Sequence, residues 1–337
     1  SSNTSKKNNI IAANEGTAIG IGIGYHLATN KIPLIYMQNS GIGNSFNPLI
    51  SLADENIYSI PMVLVIGWRG QPGKKDEPQH KKQGKIMLEI LDTMKIKYII
   101  VEKRSSLKKL INLINFSKIN SVPVAVIIKD ATFNKYSSIE TNENNYYLTR
   151  EGAINKIVRR VKKNTIIVST TGMASRELYE INRKQSDLNF LTVGGMGHAS
   201  QIALGIAIKN RNRDVVCIDG DGAAIMHLGG IATIGMIKPS NFKHFLINNG
   251  VHGSVGNQIT NGLNFKFDKV VKALGYNKAY SSSKVVDVER NIRKVINNNV
   301  LSFMEIKVNT KHRNNLGRPK LSPKENKIKL MNKILYK

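Results

Sequence analysis

Apolar residues come along this chain in short, dense runs: IPLIYMQ, IPMVLVIGW, VPVAVIIK, NTIIVST, DVVCIDG and KHFLINN. Helix-length stretches separate them, and that alternation predicts strands of parallel sheets with helices on both faces. The runs fall into two groups, so two α/β segments are expected. Between them ATFNKYSSIETNENNYYL, residues 131–148, is polar and weakly periodic and reads as an interdomain connection. The next helix is expected to start from Thr149 as its N-cap. The last segment, KENKIKLMNKILYK, has the pattern of a packed terminal helix. No repeat of fixed period is present, and no run approaches the length of apolar sequence that spans a bilayer.

Composition sharpens this picture. A chain of 337 residues with 41% hydrophobic content can bury the cores of two ordinary α/β domains. The single cysteine, Cys217, excludes an internal disulfide framework and lies inside an apolar run, where it is expected to be a small buried hydrophobe. The start, SSNTSKKNN, lacks the apolar centre of a secretory signal, so a cytoplasmic protein is expected. The net charge of +27 raises nucleic-acid binding as a function. Its lysines, however, are spread along nearly the whole chain with no aromatic reader motif among them, and a solvated surface is the preferred reading. Attraction of a small anionic substrate survives as a milder consequence.

The chemistry concentrates at two corners. DVVCIDGD ends an apolar run in Gly220, Asp221 and Gly222, and KHFLINNG ends a later one in Asn248 and Asn249. A right-handed β-α-β unit puts the ends of both strands on one edge of the sheet, so Asp221 and the asparagine pair should meet. One carboxylate oxygen and one amide oxygen leave the other corners of an octahedron to carbonyl, water and phosphate oxygens, which is how Mg²⁺ is held on a diphosphate. The glycines allow close backbone approach, and a helix opening at Ala223 presents its N-terminus to the anion. Two unrelated tight turns, Asp-Gly and Asn-Gly, are the alternative for either motif alone.

This GDG turn and later NN pair resemble the thiamine-diphosphate-binding motif of thiamine-dependent enzymes. The resemblance implies two doubly wound parallel-sheet α/β domains without a middle domain: a pyrimidine-binding domain over 1–130, N-terminally truncated, the linker at 131–148, and a diphosphate-binding domain over 149–337. It implies Mg²⁺ ligation by Asp221 and Asn249, with Asn248 adjacent and Gly220 and Gly222 against the cofactor. GGMGHASQIALGIA matches the segment that supports the bent cofactor, which places Met196 beneath it and a backbone carbonyl near Gly194 at the aminopyrimidine. In IIAANEGTAIGIGIGYHLATNK, Glu15 matches the glutamate that hydrogen-bonds the aminopyrimidine and promotes C2 deprotonation; an ordinary first-turn helix carboxylate is the competing reading. The Gly20, Gly22 and Gly24 series lacks the full dinucleotide fingerprint and suits close packing of a helix instead.

The segments YMQNSGIGNSFNPLISLAD, PMVLVIGWRGQPGKKDEPQHKKQG, NNGVHGSVGNQ and NNLGRPKLSPKENK are similar to the phosphonopyruvate decarboxylase family, with sulfopyruvate decarboxylases as nearest relatives. That likeness implies thiamine-diphosphate-dependent decarboxylation of 3-phosphonopyruvate to phosphonoacetaldehyde and CO₂ in phosphonate biosynthesis. Sulfopyruvate, or another 2-oxo acid, is the alternative substrate. His80 falls where related decarboxylases carry an active-site histidine, against the bland reading of a surface histidine in a Lys-rich loop. Arg69, Lys74 and Lys75 are candidates for the phosphonate, and His252 for the pocket lining. The resemblance also implies a homo-oligomer whose active sites lie between subunits; the dispersed charge and the lack of a spanning apolar run give the expectation of no nucleic-acid and no membrane partner.

Overall fold

The computed structural model describes residues 9–102, 107–134 and 144–336. The chain divides into two compact units, 1–139 and 140–337. Part of the expected linker, 135–143, lies outside the described residues. Residues 144–148 belong to the second unit: Leu148 is buried in its core, and Asn144 donates to the carbonyls of Asn249 and Val308 at 3.1 Å each. Apolar burial at Leu148 outweighs the polar composition that made the stretch read as a connection.

The first unit runs α1 (Glu15–Thr29), β1 (Leu34–Gln38), α2 (Ile42–Pro48), β2 (Met62–Gly67), α3 (Pro78–Thr93), β3 (Lys97–Val101), α4 (Leu107–Asn120) and β4 (Pro123–Ile128). Its four strands are parallel in the order β1-β2-β4-β3. β2 and β4, at the centre, are buried along most of their length on both faces, which is why their sequences read as unbroken apolar runs. Asn14 caps α1, its side chain accepting from the Thr17 amide at 2.9 Å, and Asn30 ends the helix in the left-handed region. Ile19 and Gly22 face the sheet. A Cβ on Gly22 would lie 2.9 Å from Ile35, so this glycine permits the close approach of α1 to β1. Gly20 and Gly24 meet nothing within 4 Å, so close packing holds at one glycine of the three rather than along the series.

The second unit contains α5 (Arg150–Val158), β5 (Ile166–Ser169), α6 (Met173–Ile181), β6 (Asn189–Leu191), α7 (Ala199–Lys209), β7 (Val215–Gly220), α8 (Asp221–Met226), α9 (Leu228–Ile237) and β8 (Phe242–Asn248). There follow β9 (Val251–His252), β10 (Gln258–Ile259), α10 (Phe267–Ala273), β11 (Lys278–Ser282), α11 (Val285–Asn297), β12 (Ser302–Lys307) and α12 (Pro323–Leu335). Six parallel strands form one sheet in the order β11-β12-β8-β7-β5-β6, and β9 and β10 make a small antiparallel pair. Alternate residues of β7 feed two cores. Val215 and Cys217 pack with α7 and α9 on one face, and Val216 and Ile218 with α5, α6 and α11 on the other. Thr149 caps α5 by accepting from the Gly152 amide, and Ser322 with Glu325 forms a capping box at α12.

The connection from β5 leads to β6 on one side, whereas that from β7 leads to β8 on the other. The carboxyl ends of β5 and β7 therefore flank a topological switch point, where open α/β sheets bind ligands. Among the described residues no helix is long and apolar enough to cross a membrane.

Candidate active site

In the second unit, β7 and β8 are hydrogen-bonded neighbours, with Gly220 paired to Ile247, so their carboxyl ends emerge side by side. Asp221 opens α8 directly after β7, two residues earlier than the sequence suggested. Its carboxylate is 2% exposed and accepts from the backbone amides of Gly222 and Asn249, which brings the two corners into contact. The Thr260 hydroxyl donates to Asp221 Oδ2. Burial outweighs these hydrogen bonds and pushes the Asp221 carboxyl up to about 6. Asn249 is 6% exposed, and its Oδ1 lies 3.3 Å from the Val251 amide.

Glycine is required here for steric reasons. A Cβ on Gly222 would stand 2.2 Å from Cε1 of His252, and one on Gly262 2.2 Å from Asp221 Oδ2. The imidazole of His252 thus lies against the turn. Gly220 approaches Thr170, in the loop between β5 and α6, across the switch point. Gly172 in that loop has φ +90° and precedes the N-terminus of α6, and a Cβ there would be 3.5 Å from Ser254 Oγ. Gly194 and half-buried Met196 lie on the loop after β6. That loop is pinned at Gly197, where a Cβ would be 2.4 Å from the ring of His227, and by the His198 ring, 4.4 Å from His227.

Asn248 departs from expectation. Its side chain turns into the sheet, donating to Glu305 Oε1 at 2.6 Å and the Gly262 carbonyl at 2.8 Å, while its Oδ1 accepts from Gly250. It shapes the corner instead of presenting an amide from it. Glu305 is 1% exposed and also accepts from Ser281. A carboxylate, an amide oxygen and backbone carbonyls at a glycine cradle form a donor set suited to a hard divalent cation on a diphosphate.

In the first unit, Glu15 is the first residue of α1. Its Oε2 accepts from Asn44 Nδ2 at 2.8 Å, and Gly41 leaves room for it: a Cβ there would sit 2.4 Å from Cγ and Oε1. Asn39, just after β1, holds the main chain of Arg69, just after β2, by donating to its carbonyl at 2.8 Å and accepting from its amide at 2.9 Å. The Arg69 guanidinium is already engaged: Nε and Nη2 donate to Asp76 at 2.9 and 2.5 Å. That pairing, with amide donors from Gly70 and Glu77, holds the Asp76 carboxyl well below the usual range. Lys74 and Lys75 are exposed on the same loop.

His80 lies in the first turn of α3, not in a loop, and is half-buried because the Gly70 backbone packs on it. A Cβ on Gly70, at φ +67°, would fall 1.9 Å from the His80 carbonyl oxygen. Burial, reinforced by Arg69, lowers the pKa of the imidazole, and Nδ1 is buried without a hydrogen-bond partner among the described residues. Glu15, Arg69 and His80 thus cluster around the carboxyl ends of β1 and β2. Asn39, Gly41, Asn44 and Thr260 were not evident from the sequence. In the second unit a polar cavity of about 330 Å³, lined by Lys162, Arg211, Arg213 and Asp214, lies at the amino ends of the strands, opposite the end that carries Asp221 and Asn249.

Residues 168–306 match the family described as thiamine pyrophosphate enzyme, C-terminal TPP binding domain. Phosphonopyruvate decarboxylase of Streptomyces viridochromogenes is 30% identical over 328 residues, spanning 92% of this chain and 81% of that protein. Sulfopyruvate decarboxylase subunit beta of Methanocaldococcus jannaschii is 38% identical over 152 residues, 45% of this chain and 79% of that one. Sulfopyruvate decarboxylase subunit alpha of Methanococcus maripaludis is 34% identical over 115 residues, 34% of this chain and 66% of that one.

Proposed function

The chain belongs to the phosphonopyruvate decarboxylase family, and on that premise we propose that it converts 3-phosphonopyruvate to phosphonoacetaldehyde and CO₂ with thiamine diphosphate and Mg²⁺. The observation that carries the reading is similarity along 92% of the chain to a decarboxylase of that name. The buried Asp221 carboxylate, bonded to the Asn249 amide within the matched thiamine-diphosphate-binding domain, supports it. In the reaction the C1–C2 bond breaks, CO₂ leaves, and C2 takes up a proton. Thiamine diphosphate, when bound, supplies the sink for the electron pair of that bond.

The residues of this chain have separable tasks. Asp221 and Asn249 hold Mg²⁺, and Gly220 and Gly222 let the diphosphate approach the backbone, with Gly194 and Met196 against the rest of the cofactor. Glu15 hydrogen-bonds the aminopyrimidine, oriented by Asn44. His80 delivers the proton that C2 takes up, and burial, by lowering the pKa of its imidazole, makes it a readier donor. Arg69 and the exposed Lys74 and Lys75 attract the phosphonate, with His252 beside the cofactor turn. Nε and Nη2 of Arg69 are bonded to Asp76, which orients the guanidinium and leaves Nη1 as the donor it can turn toward substrate.

Parallel assays with phosphonopyruvate, sulfopyruvate and pyruvate test the substrate. Phosphonopyruvate should turn over fastest, since its phosphonate carries the charge that the exposed Lys74 and Lys75 attract and the methyl group of pyruvate does not. Equal or faster turnover of pyruvate would overturn the assignment.

We propose further that active sites are shared between subunits, Glu15 coming from one copy and Asp221 from another. Relatives named as separate alpha and beta subunits support an assembled enzyme. Coexpressing Glu15→Ala and Asp221→Ala chains should then restore roughly a quarter of parental activity in a random dimer. No recovery in verified mixed dimers would refute sharing.

A further inference from the structure

The loop after β10 contains a side chain that the sequence did not single out. Thr260 is 8% exposed, and its backbone amide donates to the Gly250 carbonyl at 2.8 Å, which fastens it beside the asparagine pair. The Gly262 amide donates to Thr260 Oγ1 at 3.1 Å. A hydroxyl has one proton to give, and with an amide aimed at its oxygen that proton is directed elsewhere, to Asp221 Oδ2. Asn248 holds the Gly262 carbonyl, so the loop is tied to the corner at both ends.

We propose that Thr260 is a positioning residue for the metal site: its hydroxyl holds Oδ2 of Asp221 and, with the backbone amides of Gly222 and Asn249, presets the rotation in which that carboxylate would meet the cation. The proposal rests on the reading of Asp221 as a Mg²⁺ ligand. Two contacts act on the same oxygen. Thr260 attracts Oδ2, and Gly262, where a Cβ would stand 2.2 Å away, gives it space. A carboxylate held in this way does not have to be ordered when the ion binds, and loss of a partner of this kind weakens metal binding about 10- to 100-fold.

The test is calorimetric titration of MgCl₂ into the full chain saturated with thiamine diphosphate, with thermal unfolding of the cofactor-free proteins alongside. Thr260→Val keeps the shape and removes the hydroxyl, and should weaken Mg²⁺ binding about tenfold or more. Thr260→Ser should restore most of that affinity. Gly262→Ala, which displaces Oδ2 sterically, should weaken binding by a different route and decides the matter if the valine variant does not fold. Parental Mg²⁺ affinity in both Thr260→Val and Gly262→Ala would overturn the proposal, including where the unfolding temperature alone has fallen, which is the mark of a merely structural role. If the parent chain shows no thiamine-diphosphate-dependent Mg²⁺ binding, the assignment of Asp221 itself fails, a result separate from parental binding that survives the substitutions.

Discussion

Gly41→Ala isolates the position of one carboxylate from the stability of the fold. Gly41 has φ −83° and ψ −11°, a helical conformation that alanine adopts freely. The new methyl group would lie 2.4 Å from Glu15 Cγ and Oε1 and 2.5 Å from Cδ. Ordinary carbon contacts are about 3.5–4.0 Å, so the carboxylate has to retreat by about 1 Å or swing to another rotamer. Glu15 is a half-exposed side chain at a helix start, and it can move at little cost. Its hydrogen bond from Asn44 is lost, about 0.5–1.5 kcal/mol. Replacing a glycine at a compatible backbone position returns about 0.4–1 kcal/mol through the unfolded chain. The net change in stability should stay within about 1 kcal/mol. A reacting group displaced by 1 Å, by contrast, costs about 10²-fold in rate. The assay is kcat on phosphonopyruvate at saturating thiamine diphosphate and Mg²⁺, with hydrogen–deuterium exchange at thiazolium C2 and a thermal melt. An unfolding temperature near the parent's with exchange and kcat both down about 10²-fold is expected. Parental exchange and kcat would show that Glu15 does not activate the cofactor.

Two further predictions concern stability and pH. The Asp76 carboxyl is held below its unfolded value by Arg69, so its contribution is complete above the unfolded pKa, about 4, and is lost as pH falls through the lower folded value; Asp76→Asn should flatten this acid limb in melts recorded from neutral to strongly acid pH, and an unchanged limb would contradict the assignment. Glu177, 1% exposed, accepts from Arg150 Nε and Nη2 at 2.7 and 2.8 Å, and burial raises its pKa despite that partner. Arg150→Met leaves the carboxylate unpaired and should cost about 3–5 kcal/mol at neutral pH. The raised folded pKa favours the protonated form, so the loss should shrink as pH falls toward the unfolded value; denaturant titrations at neutral and mildly acid pH check it, and a loss independent of pH would point to packing alone.

What could be read from the sequence follows from how each part is stabilised. β2, β4, β7 and β8 are central and buried on both faces, and their continuous apolar runs announced them. Asn189–Leu191 and Lys278–Ser282, at the two edges of the second sheet, are short or mixed in polarity and carry little local signal. β12 was also missed: Glu305 interrupts its apolar run, and the reason is visible only where that carboxylate meets Asn248 and Ser281. The contact of Asp221 with Asn249 was legible because strand adjacency follows from β-α-β handedness. Thr260, Asn39, Gly41 and Asn44 act through loops distant in sequence from the groups they hold, and no periodicity encodes such contacts. The inward turn of Asn248 is likewise a tertiary outcome, since the Asn-Asn pair has no local feature that decides which amide faces the sheet.

The most direct test of the account follows the phosphorus of phosphonopyruvate by NMR in the presence of the purified full chain, with and without added thiamine diphosphate and Mg²⁺, together with an Asp221→Ala chain. Conversion to phosphonoacetaldehyde with release of CO₂, dependent on the cofactor and abolished in Asp221→Ala, is the predicted result. Conversion that proceeds equally without thiamine diphosphate, or no conversion by parent chain shown to have bound it, would contradict the assignment.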